Sequence, residues 1–225
     1  MARLKRKAVV LLSGGLDSAV TLYLAKSEGY DCHCLIFDYG QRHRKEIIKA
    51  KQIAREAGAE FRVIKLDLPW KGSSLIDKDK KIPLDRSVKE IKLNIPNTYV
   101  PARNTILLSM AASFAEAIGA KKIFIGAHSE DSSGYPDCRI EYLRAFDKAL
   151  KLGTKSGIEK RLNLEYPLID KKKSEIIKMG RSLDVPFQHT WSCYSGEKMP
   201  CMRCDSCILR AKGFREAGFN DPSES

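Results

Sequence analysis

The segment Ser13–Ser18 has the composition of a phosphate-binding turn, Ser-Gly-Gly-Leu-Asp-Ser. Its two glycines lack a Cβ atom, so the backbone can bend sharply and approach an anion closely. The run Lys7–Leu12 before it predicts a buried strand, and the apolar residues from Leu16 onward repeat with the period of a helix. A helix that begins there would point unpaired N–H groups and the positive end of its dipole at the anion.

Two other glycine-rich loops are excluded for this segment. No lysine follows the glycines as it does in a Walker A loop, and the three-glycine fingerprint of dinucleotide binding is missing. An ordinary strand–helix turn is the alternative, but the flanking elements and the closing Asp17-Ser18 pair favour phosphate binding. Asp17 can cap the helix or bind Mg²⁺. The residues expected to contact the phosphate-bearing ligand are Leu12, Ser13, Gly14, Gly15, Leu16, Asp17, Ser18 and Ala19.

Four of the seven cysteines lie close together in the C-terminal part of the chain, with the spacing Cys-x7-Cys-x2-Cys-x2-Cys. Four thiolates complete a tetrahedral zinc shell and leave no open coordination position, which is typical of a structural site. The last three cysteines also have a spacing found in ferredoxins, so an iron–sulfur cluster is the alternative to zinc. The expected metal ligands are Cys193, Cys201, Cys204 and Cys207.

The composition is that of a chain able to bury a core without disulfides, with 225 residues of which 43% are apolar. No apolar run approaches the roughly twenty residues that span a bilayer, so we expect no membrane partner and a cytoplasmic protein with reduced thiols. The formal charge is +12, but the basic residues are spread along the chain without interleaved aromatic residues. A solvated lysine-rich surface is therefore favoured over a nucleic-acid track.

Strand-like and helix-like runs alternate along much of the chain. Strands are predicted at Asp31–Phe37, Phe61–Leu66 and Ile123–Gly126, with helical patterns over Glu46–Ala57 and Leu107–Ile118 between them. This order predicts an α/β fold with a doubly wound, mostly parallel sheet. We expect residues 1–190 to form that domain and residues 191–225 to form a small zinc-binding appendage packed on it. Residues 67–103 show no sustained period, so they form either a lid over the site or a disordered loop.

Further motifs accompany the glycine turn. They are Phe37–His43 (FDYGQRH), Ile95–Asn104 (IPNTYVPARN), Ser133–Arg139 (SGYPDCR), Pro167-Leu168 with Lys173 and Glu175, Cys193-Tyr194, and Cys201–Cys207 (CMRCDSC). The turn alone marks the PP-loop, or N-type ATP pyrophosphatase, superfamily. Together the motifs resemble the 7-cyano-7-deazaguanine synthases over almost the whole chain. One position departs from the family pattern Val-Pro-Gly-Arg-Asn, because Ala102 replaces the glycine, which is acceptable if its φ is negative.

The resemblance implies an adenine nucleotide alpha hydrolase-like fold, a homodimer and a structural zinc ion. It also implies a reaction in queuosine- or archaeosine-type biosynthesis: 7-carboxy-7-deazaguanine, ammonia and ATP give the nitrile 7-cyano-7-deazaguanine. Both carboxylate oxygens must leave in this reaction. We therefore expect two activations in one site, carboxylate to amide and then amide to nitrile, with Mg²⁺ neutralising the ATP phosphates.

Several side chains are expected at the site because ligands lie beyond the carboxyl ends of the strands in doubly wound sheets. The resemblance suggests catalytic roles for Asp17, Asp131 and Arg139, with Arg139 pairing with the substrate carboxylate. Asp131 and Asp137 would accept hydrogen bonds from the deazaguanine N–H edge, and Tyr135 would stack on the base. The expected substrate-binding residues are Asp38, Tyr39, Gln41, His43, Arg103, Asn104, Tyr135, Asp137 and Lys173.

Simpler interpretations of these residues stay open. Aspartates are common in turns, and His43 can be an exposed residue at the start of a helix. Arg103 and Asn104 can serve only to cap the following helix. The run Lys171–Lys173 can be the solvated start of another helix.

Two other functions compete with the synthase. A PP-loop enzyme that modifies tRNA, for example by thiolation, would suit the basic charge, but such enzymes generally need an added tRNA-binding domain or a catalytic cysteine pair. A zinc-ribbon nucleic-acid binder would leave the motifs at Phe37–His43 and Gly134–Arg139 unexplained. We therefore expect small-molecule partners and no direct contact with nucleic acid.

Overall fold

In the part of the chain that the structure describes, the sheet has five strands, all parallel. A computed structural model describes residues 6–128, 134–195 and 198–223 of the chain. The strands are β1 (Lys7–Leu11), β2 (Asp31–Asp38), β3 (Glu60–Lys65), β4 (Lys122–Phe124) and β5 (Asn163–Glu165). Their order in the sheet is β3-β2-β1-β4-β5. Strands β2 and β3 therefore extend the sheet on one side of β1, and β4 and β5 extend it on the other side.

Helices connect the strands and extend the chain beyond β5. They are α1 (Leu16–Ser27), α2 (Lys45–Glu56), α3 (Val88–Leu93), α4 (Arg103–Ile118), α5 (Ile140–Gly153), α6 (Lys155–Ile158), α7 (Lys173–Ser182) and α8 (Asp205–Ala217). Short 3₁₀ turns occur at Pro136–Cys138 and Phe187–His189. None of the helices in these described ranges combines the length and the hydrophobicity that a membrane crossing requires.

Two hydrophobic cores cover the two faces of the sheet. Apolar residues of α1, α2, α7 and α8 pack on one face, and those of α4 and α5 pack on the other. Alternate residues of β1 enter opposite cores, Ala8 and Val10 the first and Val9 and Leu11 the second. The predicted doubly wound α/β fold is confirmed, since a parallel sheet needs helices on both faces.

Some elements lie outside the sequence prediction. Strand β5 and helix α5 were not predicted, and β4 ends at Phe124 rather than Gly126. The segment of residues 67–103 (the 67–103 segment) is ordered and contains α3. Its two ends are joined by hydrogen bonds from Ser73 Oγ to the Thr98 carbonyl at 3.0 Å and from the Ser74 amide to the Asn97 carbonyl at 2.8 Å. The disordered alternative for this segment is therefore wrong.

Candidate active site

A cavity of about 240 Å³ opens at the carboxyl ends of β1, β2 and β4. This is the point where the strand order reverses, at which doubly wound proteins bind their ligands. The expected site residues that line the cavity are Leu12, Ser13, Gly15, Leu16, Asp17, Ser18, Tyr39, Gln41, His43, Arg103, Asn104, Tyr135 and Lys173. The topology thus gathers into one cavity residues that are spread over most of the chain.

The glycine turn after β1 is closely packed. Gly14 has a φ of +89°, and a Cβ atom on it would lie 2.3 Å from the carbonyl oxygen of Glu46. A side chain is therefore excluded at this position by both conformation and space. Ser13 and Ser18 stabilise the turn, since their hydroxyl oxygens lie 3.1 Å apart and the Gly15 amide donates to Ser13 Oγ at 3.2 Å.

The carboxylate of Asp17 is paired with a lysine from the other half of the chain. The ammonium of Lys173, the first residue of α7, donates to both carboxylate oxygens of Asp17 at 2.8 Å. It also lies 2.8 Å from Nε2 of His128, whose side chain is fully buried. Burial alone would raise the pKa of Asp17, but the charges of Lys173 and His128 outweigh it and lower that pKa.

The solvated interpretation of Lys173 is wrong, because this residue is only 9% exposed and lies against the glycine turn. Neighbouring Lys172 is exposed, so the lysine run has one buried member. Asp17 was expected to cap the helix or bind Mg²⁺. In the structure Gly15 is the N-cap of α1, and both carboxylate oxygens of Asp17 accept hydrogen bonds from Lys173.

The Phe37–His43 motif forms the turn after β2. Gln41 holds this turn, accepting from the Tyr39 amide at 2.9 Å and donating to the Phe37 carbonyl at 3.0 Å. His43 is 2% exposed and its Nε2 lies 2.7 Å from Glu46 Oε2, so the exposed interpretation of His43 is wrong. Asp38 instead pairs with Arg44 at 2.7 Å and does not line the cavity.

The start of α4 brings both Arg103 and Asn104 to the cavity wall. The backbone amide of Asn104 donates to Asp137 Oδ2 at 2.9 Å, so Asp137 caps the start of α4. Asp137 is not among the residues that line the cavity. Ala102 precedes the helix with a φ of +51° and a ψ of +26°, in the left-handed region. Ala102 therefore does not have the negative φ that would make an alanine acceptable here. Its backbone has the left-handed conformation that suits the glycine of the family pattern.

The SGYPDCR motif is divided between the cavity and the surface. Tyr135 lines the cavity, and its hydroxyl lies 2.9 Å from Thr98 Oγ1 and 3.5 Å from the hydroxyl of Tyr194. Arg139 is exposed at the start of α5 and is not among the lining residues. Asp131 lies outside the described residues, so its expected role stays a prediction.

The chain after residue 190 supplies one wall of the cavity, which sequence reasoning missed. Trp191, Tyr194, Asp205 and Arg210 line it, and the Trp191 amide donates to the Gly14 carbonyl at 2.9 Å. Asp205 stands within the CMRCDSC motif, which drew attention only to its cysteines. Sequence reasoning also missed Glu46, which lies beside the Phe37–His43 motif, and His128, which lies beside the predicted strand Ile123–Gly126. Only the fold reveals the partners of these two side chains.

The four predicted metal ligands converge. The sulfur atoms of Cys193, Cys201, Cys204 and Cys207 all lie within 4.8 Å of one another. Backbone amides donate to two of them, from residue 201 to Cys193 Sγ and from residue 204 to Cys201 Sγ, both at 3.3 Å. Hydrogen bonds from the thiols of Cys204 and Cys207 lower the pKa of Cys193. This cysteine cluster can hold a metal ion.

Comparison with known proteins identifies the family. The family model described as Queuosine biosynthesis protein QueC matches residues 7–218. The chain belongs to the QueC family. Proteins named 7-cyano-7-deazaguanine synthase from Thermoplasma acidophilum and Trichodesmium erythraeum are 50% and 49% identical to it. The first alignment covers 98% of this chain and 92% of the Thermoplasma acidophilum protein. The second covers 96% of this chain and 99% of the Trichodesmium erythraeum protein.

The solved structure of NMN synthetase from Francisella tularensis shares the fold, with a TM-score of 0.51 at 16% identity over 96% of this chain and 79% of that one. The QueC match and the similar synthases confirm the resemblance inferred from the motifs. The QueC match spans both the glycine turn and the cysteine cluster. The cavity between them is therefore part of the matched region.

Proposed function

We propose that this chain converts 7-carboxy-7-deazaguanine, ammonia and ATP into 7-cyano-7-deazaguanine. Membership of the QueC family and the name of its 50% identical relative support the product. The observation that carries the proposal is that the glycine turn at Ser13–Ser18 and the cation of Arg103 open into one cavity. A nucleotide phosphate and a carboxylate can therefore meet there.

The chemistry requires two oxygen atoms to leave the same carbon. A carboxylate oxygen is a poor leaving group at neutral pH, whereas the same oxygen esterified to phosphate leaves readily. Ammonia would displace the first activated oxygen to give the amide, and activation of the amide oxygen would then allow its loss to give the nitrile. Both steps need the same nucleotide position, so one phosphate-binding turn beside one substrate position suffices.

The cavity residues divide naturally between the two reactants. The glycine turn would hold the phosphates of ATP, since its backbone offers donors at the N-terminus of α1. Lys173 would add a positive charge beside them. Mg²⁺ bound with ATP would neutralise the phosphate oxygens. Tyr39, Tyr135 and Tyr194 would contact the planar base. Arg139 and Asp137 were expected to bind the substrate, but their positions outside the cavity lining favour other residues for that role.

We further propose that the cysteine cluster holds zinc. Four zinc–sulfur bonds of about 2.3 Å in a tetrahedron place the sulfurs about 3.8 Å apart, and the observed spacing within 4.8 Å suits that shell. Zinc would cross-link the chain between residues 193 and 207. A Cys204→Ser variant should lose metal and unfold at a lower temperature, as metal analysis and calorimetry would show. A visible absorption band would instead indicate iron and sulfide.

The deciding experiment supplies purified protein with ATP, ammonia and 7-carboxy-7-deazaguanine, and follows nucleotide hydrolysis and the nitrile by mass spectrometry. Hydrolysis should require both the acid and ammonia. Retention of tRNA without ATP consumption, or sulfur transfer to tRNA, would instead support a competing function. The homodimer and the cytoplasmic location stay predictions, testable by sedimentation and by cell fractionation.

A further inference from the structure

Arg103 carries a positive charge in the cavity wall, and its hydrogen-bond partner there, the Tyr39 side chain, is neutral. Its guanidinium donates to the Tyr39 hydroxyl at 3.2 Å and lies 5.9 Å from the centre of that ring. Burial raises the pKa of Tyr39, so this partner is an uncharged phenol at neutral pH. Tyr135 and Cys138 line the cavity beside it.

The acidic residues that line the cavity already have basic partners. Asp17 pairs with Lys173 at 2.8 Å, and Glu46 pairs with His43 at 2.7 Å. Asp205 pairs with Arg86, whose Nε lies 3.0 Å from its carboxylate. Within residues 6–128, 134–195 and 198–223, no carboxylate forms an ion pair with Arg103.

We propose that Arg103, rather than Arg139, binds the carboxylate of the substrate acid. This inference rests on the proposed function and assigns one of its steps to one side chain. Arg103 is partly buried and faces the cavity. The planar fork of a guanidinium matches a carboxylate with two parallel hydrogen bonds. Arg139 is exposed at the start of α5 and does not line the cavity.

The two half-reactions should depend on Arg103 unequally. The acid carries a negative charge that Arg103 neutralises, whereas the amide formed from it is neutral. Replacing an oxygen anion by an amide removes the ion pair and leaves only a neutral hydrogen bond, which is roughly half as strong. Arg103 therefore selects the acid over the amide, and it acts in the first half-reaction more than in the second.

The test compares the acid and the synthetic carboxamide as substrates and as ligands. In Arg103→Gln, we expect kcat/KM for the acid to fall about 100-fold and its affinity by calorimetry to fall similarly. We expect kcat/KM for the amide and the affinity for ATP to change less than about threefold. Arg103→Lys keeps the charge without the fork, so it should recover part of the activity with the acid.

Arg144→Gln is the matched control, because Arg144 is exposed on α5 and outside the cavity. Equal losses with acid and amide in Arg103→Gln would overturn the proposal. A selective loss of ATP affinity would overturn it too and assign Arg103 to a phosphate. A selective loss with the acid in Arg139→Gln alone would return the role to that residue. If the wild-type chain binds the acid tightly but forms no nitrile, the proposed function fails while the binding comparison still decides the role of Arg103.

Discussion

Lys173 donates hydrogen bonds to both carboxylate oxygens of Asp17 at 2.8 Å, across 156 positions of sequence. The contact joins the N-terminus of α7 to the glycine turn after β1. It places an ammonium group beside the position where phosphates are expected. The pair therefore links the packing of α7 to the candidate active site.

Replacement of Lys173 should therefore affect both stability and turnover. Lys173→Gln leaves the carboxylate of Asp17 without its cation, so we expect the free energy of unfolding to fall by about 2 kcal/mol. Turnover should fall about 100-fold or more, because a positive charge beside the expected position of the phosphates is lost. Urea denaturation and steady-state kinetics measure the two effects.

Two comparisons make this prediction specific. Lys178→Gln, at an exposed position of the same helix, should leave both quantities nearly unchanged. In the double variant Asp17→Asn/Lys173→Gln, the loss of stability should be smaller than the sum of the single losses. Additive losses would show that the two side chains do not interact in solution.

Ala102 offers a stabilising substitution. Its φ of +51° costs an alanine roughly 1–2 kcal/mol, whereas glycine pays only the extra entropy of its unfolded chain. Ala102→Gly should therefore raise the free energy of unfolding by about 0.5–1 kcal/mol. Ala117→Gly, at an exposed position within α4, should lower it by about 1 kcal/mol. A loss of stability in Ala102→Gly would contradict the left-handed conformation.

The buried ion pair of Arg210 and Asp221 predicts acid sensitivity. Two hydrogen bonds of 2.7 and 2.9 Å join the side chains. Burial alone would raise the pKa of Asp221, but the bonds and charge of Arg210 outweigh it and lower that pKa. Its contribution is therefore present above the unfolded value of about 3.9 and is lost as pH falls through the folded pKa.

Asp221→Asn provides the corresponding measurement. At pH 7 we expect this variant to be less stable by about 3 kcal/mol, because Arg210 keeps a buried charge without its counter-ion. The difference between wild type and variant should shrink as the pH is lowered from about 5 to 3. Urea unfolding at a series of pH values tests this, and a difference independent of pH would refute it.

Arg86 joins the 67–103 segment to the start of α8. Its Nε donates to Asp205 at 3.0 Å, and Leu84 forms an antiparallel bridge with Cys204. Ile91, further along the segment, lines the cavity. Arg86→Gln should therefore loosen this wall, raising KM for the acid severalfold and exposing the segment to trypsin, while the metal content stays unchanged.

Arg203 serves as the matched control for Arg86. It pairs with Asp85 on the same segment, but both side chains are more than half exposed. Exposed pairs contribute about 0–1 kcal/mol, so Arg203→Gln should leave KM and the protease pattern nearly unchanged. Similar effects of both substitutions would indicate that the segment is held by other contacts.

Local sequence patterns predicted those parts of the site whose residues lie close together in the sequence. The glycine turn and the cysteine spacing are of this kind, because the residues that act together are within fifteen positions of one another. Strand β5 has three residues, Asn163–Glu165, of which only the middle one is apolar, so it escaped prediction. The pairing of Asp17 with Lys173 depends on how α7 returns to β1, which no local pattern contains.

The hydrogen bond from the Trp191 amide to the Gly14 carbonyl makes the glycine turn depend on the C-terminal segment. A shortened form ending at residue 190 would retain all of the described strands, yet its glycine turn would lose the hydrogen bond from the Trp191 amide. The segment after residue 190 is therefore part of the cavity and cannot be exchanged without altering it. Substitutions around the cysteines can therefore alter the cavity wall beside the glycine turn.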